Sequence, residues 1–170
     1  VFHAMSYLVI GGTGFVGSHI TRRLVSEGVD VVTFSPSGNP SRFQDVANKV
    51  KAVKGSTTDI AVIIDAMKTF RVTHVVYAAT EPMPWVPSNI IRTNIMGFTN
   101  VLEAARLMDV HRMVWTSSYA QLGPPELYPV QPVNEDAPVK PTMMHGPAYV
   151  CNEFMANYYA EQHGLDVLTL

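Results

Sequence analysis

Short apolar runs alternate with amphipathic segments along the whole chain. SYLVIGG, from Ser6 to Gly12, is an apolar run that stops at glycine, the pattern of a buried strand. In VGSHITRRLVSEG, Val16, Ile20, Leu24 and Val25 recur at helical spacing, and Gly28 ends the segment. DVVTFS and KVKAVKGS read as short strands, with a loop, SPSGNPS, after the first of them. DIAVIIDAMKTF reads as a helix capped by Thr58 or Asp59, and HVVYAAT as another buried strand. SNIIRTNIMGFTNVLEAARLM, from Ser88 to Met108, predicts a long helix with Ile91, Ile95, Phe98, Leu102 and Ala105 on one stripe. RMVWTSS is the next strand, and a Pro-rich loop runs from Gly123 to Pro141. A helix from His145 to His163 and a last strand, LDVLTL, close the chain.

Strands separated by helices imply βαβ units and a parallel sheet covered on both faces. About six strands make a Rossmann-type, doubly wound α/β sheet. The expectation is one domain over residues 1–170. The sequence stops on the sixth strand, so a fragment of something longer is expected. Met5 is expected to be the native start, with VFHA a foreign leader, and the apolar opening to be a strand rather than a signal peptide.

The totals narrow the partners. Hydrophobic residues make up 47% of the chain and charged residues 15%, as in a globular domain rather than a disordered one. The net charge is −2, and no run of Lys or Arg offers a nucleic-acid footprint. No stretch reaches the roughly 20 apolar residues of a membrane span. The lone Cys151 leaves no internal disulfide and fits a reducing, cytoplasmic setting. His3, His19, His74, His111 and His163 show no metal-ligand spacing, so no metal is expected.

The glycines after the first strand carry the clearest chemistry. They fit Gly12-x-Gly14-x-x-Gly17 or Gly11-x-x-Gly14-x-x-Gly17, between a strand and an amphipathic helix. That is the fingerprint of a dinucleotide site: glycine permits the tight turn and the close approach of backbone N–H groups to a pyrophosphate. The helix N-terminus adds partial positive charge. Gly11, Thr13, Gly14, Phe15, Val16 and Gly17 are therefore candidate cofactor residues. A ribose 2′-OH is usually held by Asp or Glu at the end of the second strand. That strand ends on Ser35, and Asp30 lies at its start. Ser35, Ser37 and Arg42 could instead receive a 2′-phosphate, or Arg42 is a solvated loop residue. The expectation favours NADP over NAD by a small margin.

With the fingerprint, four further segments resemble the extended short-chain dehydrogenase/reductase family, the NAD-dependent epimerase/dehydratase group. HVVYAAT is similar to the family's fourth strand, and RTNIMGFTNVLEAAR to its next helix, with Asn94 and Gly97 in the characteristic places. RMVWTSSYAQLG resembles its fifth strand and Ser-Ser turn, and VNEDAPVKP the loop before its catalytic helix. The resemblance covers essentially the whole chain and implies that the family's C-terminal substrate-binding part is missing from it. It also implies cofactor contacts from Ser56, Thr57, Ala78, Ala79, Thr80, Asn94 and Thr116. Such proteins move a hydride between a nicotinamide and a carbinol carbon of a sugar nucleotide or another small hydroxy or keto compound. A Tyr-x-x-x-Lys pair handles the proton, and a Ser or Thr of the Ser-Ser turn holds the substrate oxygen. Counting back from Gly123 gives Ser118 that role; the alternative is a plain strand-end hydroxyl.

The segment KPTMMHGPAYVCNEF departs from this pattern. If Tyr149 were the family's Tyr, the residue four later would be Glu153, which would raise the phenol pKa and disable it as a base. Pro141 plus four, Gly146 and Glu153 all set another register, in which His145 takes the Tyr position and Tyr149 the Lys position. An imidazole titrates near pH 6.5 and can act as acid or base without a lysine. Tyr149 can hydrogen-bond a nicotinamide ribose but supplies no positive charge. Two outcomes stay open: an enzyme with Ser118, His145 and Tyr149 as its atypical set, slightly favoured, or a homologue that only binds cofactor as a sensor or scaffold. Cys151 is expected to be a small buried hydrophobe, Asn152 and Glu153 to face solvent or cap neighbours, and Met143 and Met144 to line a substrate mouth or simply pack. The resemblance further implies a homodimer through helices 88–108 and 145–163, with Phe98, Leu102, Phe154 and Tyr158 as candidates for the interface.

Overall fold

The computed structural model describes residues 5–84 and 86–170; the leader question and His3 lie outside them. Six parallel strands form one sheet in the order β3-β2-β1-β4-β5-β6. They are β1 (Ser6–Ile10), β2 (Asp30–Ser35), β3 (Val50–Lys54), β4 (His74–Tyr77), β5 (Arg112–Trp115) and β6 (Val167–Thr169). β1 is central: Leu8 lies beside Val32 on one flank and Val75 on the other. Its residues Leu8, Val9 and Ile10 are fully buried, as a strand covered on both faces must be.

The helices are α1 (Phe15–Ser26), α2 (Ile60–Thr69), α3 (Pro87–Ile90), α4 (Gly97–Leu107) and α5 (His145–His163). Asp59, rather than Thr58, caps α2: its carboxylate accepts from the Ala61 and Val62 amides. The segment after β2 is not all loop, because residues Pro40–Lys49 wind into 3-10 turns over the buried Phe43. α5 ends at Gly164 in the left-handed conformation (φ 68°).

The long helix expected from 88 to 108 is interrupted. Ile91–Met96 forms a π-helical turn between α3 and α4. A π turn loosens the regular backbone ladder. Here the Asn94 carbonyl accepts a hydrogen bond from Asn152 Nδ2 of α5 at 3.0 Å. Asn152 is 3% exposed, so of the two expected places, solvent or a neighbour's backbone, it takes the second. A polar side chain enters the helix contact because it finds a partner there.

Phe98 and Leu102 are likewise fully buried, in the core cluster with Trp115, Tyr77 and Met67. They belong to the subunit's own core and offer no surface to a second copy. Phe154 and Tyr158 on α5 are exposed, so the four interface candidates separate into two inward and two outward residues. No helix among the described residues is long and apolar enough to cross a membrane.

Candidate functional site

In this strand order the connections from β1 and β4 leave in opposite directions, and their carboxyl ends flank a crevice. A cleft of about 430 Å³ lies there. It is lined by Gly11, Thr13, Gly14, Phe15 and Val16 after β1, Ser35 after β2, Ser56 and Thr57 after β3, and Ala78, Ala79 and Thr80 after β4. Eleven expected cofactor residues thus meet at one place, brought together from four strand ends.

The local chain explains why the cleft is open. Gly11 has φ 78°, which turns the chain back under the sheet edge, and its amide donates to the Phe34 carbonyl at 2.9 Å. Gly17 does not line the cleft but packs beneath it: a Cβ there would come within 2.1 Å of the Gly11 carbonyl oxygen. That contact lets α1 begin directly behind the turn. Gly14, the residue before α1, provides no side-chain cap, and the first turn carries no acidic residue. The helix start therefore presents backbone N–H groups and partial positive charge to the cleft, a setting that suits the pyrophosphate of a dinucleotide.

Of the expected contacts, Ser35 is held within the cleft wall, and Arg42, Asn94 and Thr116 are not among the lining residues. Ser35 is 4% exposed, and its Oγ accepts from the Gly38 amide at 3.0 Å, so the hydroxyl stabilises its own loop. Arg42 is exposed on the segment after β2 and is not among the cleft's lining residues. Asn94 is 4% exposed and acts as a clamp: Oδ1 accepts from the Glu81 amide at 2.8 Å and Nδ2 donates to Thr80 Oγ1 at 3.2 Å. Thr116 continues β5, its amide donating to the Tyr77 carbonyl at 3.1 Å. Among the lining residues not anticipated are Glu81 and Thr93, which join through a 2.8 Å hydrogen bond from the Thr93 hydroxyl to the Glu81 carboxylate. No spacing rule links them, because they come from different elements.

The second group gathers where β5 meets α5. His145 opens α5 and is 7% exposed. Tyr149, one turn later, is half-buried; its ring lies 6.5 Å from the imidazole and stacks on Trp115 at 6.2 Å with an 11° interplanar angle. Trp115 in turn touches Phe98 and donates to Thr169 Oγ1 at 2.8 Å. An aromatic stack thus stands behind His145 where the resemblance implies an ammonium group, and α5 contains no Lys or Arg. Tyr77 is buried nearby. Burial first, and then the neighbouring Tyr149, raise its pKa, while a hydrogen bond with Thr57 works against the rise.

Ser118 caps the short turn Tyr119–Gln121, accepting from the Ala120 amide at 3.2 Å. This turn packs on the start of α5: a Cβ on Gly146 would come 2.5 Å from the Ala120 carbonyl oxygen. Glu153 ties the two together. Its Oε1 accepts from Ser117 Oγ at 2.7 Å and from Gln121 Nε2 at 2.9 Å. The carboxylate two turns beyond His145 therefore fixes the turn that carries Ser118. Cys151 is half-buried on the same helix. Among the described residues, no three His, Cys, Asp or Glu side chains are grouped to hold a metal ion.

Known proteins match this arrangement. The model of the NAD dependent epimerase/dehydratase family matches residues 7–170. UDP-glucose 4-epimerase of Lactobacillus helveticus is 30% identical over 148 residues, 84% of this chain and 43% of that protein. A dTDP-glucose 4,6-dehydratase of Mycolicibacterium smegmatis is 26% identical over 95% of this chain and 50% of its own length. The solved structure of UDP-glucose 4-epimerase from Brucella ovis in complex with NAD superposes with a TM-score of 0.86 at 26% identity, covering 98% of this chain and 51% of that one. The UDP-glucose 4-epimerase of Thermus thermophilus in complex with NAD also gives 0.86 at 26% identity, with 97% and 54% covered. The chain spans about half the length of these relatives. With the fold, the glycine turn and the match over residues 7–170 in agreement, the chain belongs to the NAD-dependent epimerase/dehydratase family.

Proposed function

We propose that this chain is the cofactor-binding part of an NAD-dependent enzyme that oxidises or reduces a carbinol carbon of a sugar nucleotide or another small hydroxy or keto compound. The observation that carries this is the buried His145 at the start of α5, beside the turn that bears Ser118. The residues after β1, β3 and β4 would hold the dinucleotide, with its pyrophosphate at the start of α1. Bound NAD would supply the hydride acceptor or donor. Ser118 orients the substrate oxygen by hydrogen bonding. His145 takes the hydroxyl proton when the alcohol is oxidised and returns it when the ketone is reduced. Tyr149, held against Trp115, offers the ribose a neutral hydrogen-bonding group.

Relatives solved with NAD, and an Arg42 that stands outside the cleft's lining, support NAD over NADP as the cofactor. Titration calorimetry with NAD, NADH, NADP and NADPH tests this directly. A homodimer through the outward faces of the π-helical turn Ile91–Met96 and of α5 is proposed on the exposed Ile91, Met96, Phe154 and Tyr158; a monomer by light scattering at micromolar concentration would count against it.

His145→Ala tests the chemistry. Turnover should fall by roughly 10²–10⁴-fold, the usual contribution of a general acid–base group, while NAD affinity holds within about twofold. A second reading, a homologue that binds cofactor without turning it over, is favoured by an α5 that carries Tyr149 and no Lys or Arg. Cofactor binding with no turnover of sugar nucleotides, ketones or aldehydes, in wild type and variant alike, would select it.

A further inference from the structure

Beyond the nucleotide cleft, a second cavity of about 420 Å³ opens at the carboxyl end of β5. Its walls include Leu122, Pro124, Pro125, Val133 and Met143, with Tyr119 at the rim. Ala120 of its wall donates its amide to Ser118 Oγ at 3.2 Å and sets its carbonyl against Gly146, the residue after His145, so the cavity lies beside the two segments that carry Ser118 and His145. We infer that it receives an apolar portion, such as an aryl or alicyclic ring, of the hydroxy or keto compound whose oxygen meets Ser118 and His145. The inference rests on the proposed roles of those two residues and adds the chemical class of what lies next to the reacting carbon.

Three observations carry it. The lining is apolar: Thr142 and Tyr119 provide its only side-chain hydroxyls, and no lining residue is charged. A sugar ring placed there would exchange its water hydrogen bonds for few replacements, whereas an apolar ring would gain from leaving water. Lys140, on the loop that closes the cavity, is engaged elsewhere. Lys140 Nζ donates to the Leu127 carbonyl at 2.8 Å and lies 4.9 Å over the Tyr128 ring. The walls are also built in advance. Tyr128 is 8% exposed, and its hydroxyl donates to the carbonyls of Leu122 and, at 3.0 Å, of Pro138. The Lys140 amide donates to the Gln121 carbonyl at 3.1 Å, closing the Pro-rich loop back on the Ser118 turn. A cavity held open in this way asks little ordering of its ligand's surroundings.

The experiment is calorimetric titration of the 170-residue chain with 4-phenylbutan-2-one and, separately, UDP-glucose, each with and without NAD. Two variants accompany it: Val133→Asp, which places a charge in the wall, and Tyr119→Ala, which trims a rim side chain 85% exposed and so leaves the fold intact. The aryl ketone should bind with a sub-millimolar Kd, weakened at least tenfold by Val133→Asp and measurably by Tyr119→Ala, while NAD affinity stays within twofold. Equal binding by wild type and both variants, or UDP-glucose binding more tightly and losing affinity in the same variants, overturns the inference. Failure of NAD to bind would instead remove the proposed enzyme; ketone binding that still responded to the two variants would then keep the apolar subsite.

Discussion

The two ends of this site teach opposite lessons. The β1–α1 turn keeps every feature its family pattern asks for, and backbone sterics explain why. Gly11 needs a positive φ, and Gly17 sits where any Cβ would strike the Gly11 carbonyl. The start of α5 keeps the family's backbone but exchanges its chemistry. Gly146 still packs on Ala120, and Glu153 still occupies its place, yet His145 and Tyr149 stand where a Tyr-Lys pair is expected. A Cβ that would strike backbone leaves little room for substitution, whereas two side chains on one helix can change together if their neighbours accept them. Trp115 accepts Tyr149 as a stacking partner.

The sharpest way to break the comparison is Gly17→Ala. Its Cβ meets backbone rather than a movable side chain, so we expect a loss of about 3 kcal/mol in stability and a weakening of NAD binding by ~100-fold or more. Chemical denaturation and cofactor titration read both, and a variant indistinguishable from wild type would show that the turn is looser than the contact implies.

The opposite end should accept exchange. In the double variant His145→Tyr, Tyr149→Lys the fold should survive, and the pH dependence of turnover should change shape. The exchange replaces an imidazole by a phenol beside a lysine as the group that passes the proton, so the two profiles should differ. Identical profiles would remove His145 from proton transfer.

Glu153→Ala should cost about 1–2 kcal/mol and loosen the Ser118 turn, because Ser117 and Gln121 both lose their acceptor. Amide exchange over residues 117–122 should rise while the β1–α1 turn stays protected. Unchanged exchange there would show that the turn is held by its other contacts.

The smallest effect concerns alkaline pH. Tyr77 has its pKa raised by burial and by Tyr149, and Tyr159 is pushed up to about 12 by burial and the Glu103 carboxylate. A raised folded-state pKa means that the unfolded chain gives up its proton first. Stability should therefore be full below about pH 10 and decline above it, with a gentler decline in Tyr77→Phe. A urea midpoint that stays flat to about pH 11 would contradict this.

Much of this molecule was legible in its sequence. The order of strands and helices followed from apolar periodicity, which depends on residues a few positions apart. The cradle followed from three glycines whose conformations are fixed within one turn, whereas the register that puts His145 and Tyr149 in the family's Tyr and Lys positions rests on Pro141, Gly146 and Glu153 and is what the His145→Ala variant tests. What failed was direction. Helical spacing identified an apolar stripe on the 88–108 segment but not which side it faced, and Phe98 and Leu102 turned inward. Asn152 was expected in solvent or against a neighbour, because polarity alone says nothing of a carbonyl presented by a π turn on another helix.

The sequence by itself determined the architecture and the glycine turn, since each depends on local spacing and local sterics. Only the tertiary structure decided that Asn94 is a clamp rather than part of the cleft wall, that Glu153 holds the Ser118 turn, and that an apolar cavity lies beside that turn. The Asn94 and Glu153 contacts join residues 13 to 36 positions apart. Their geometry is set by how helices seat on the sheet, a packing outcome that no short stretch of chain encodes.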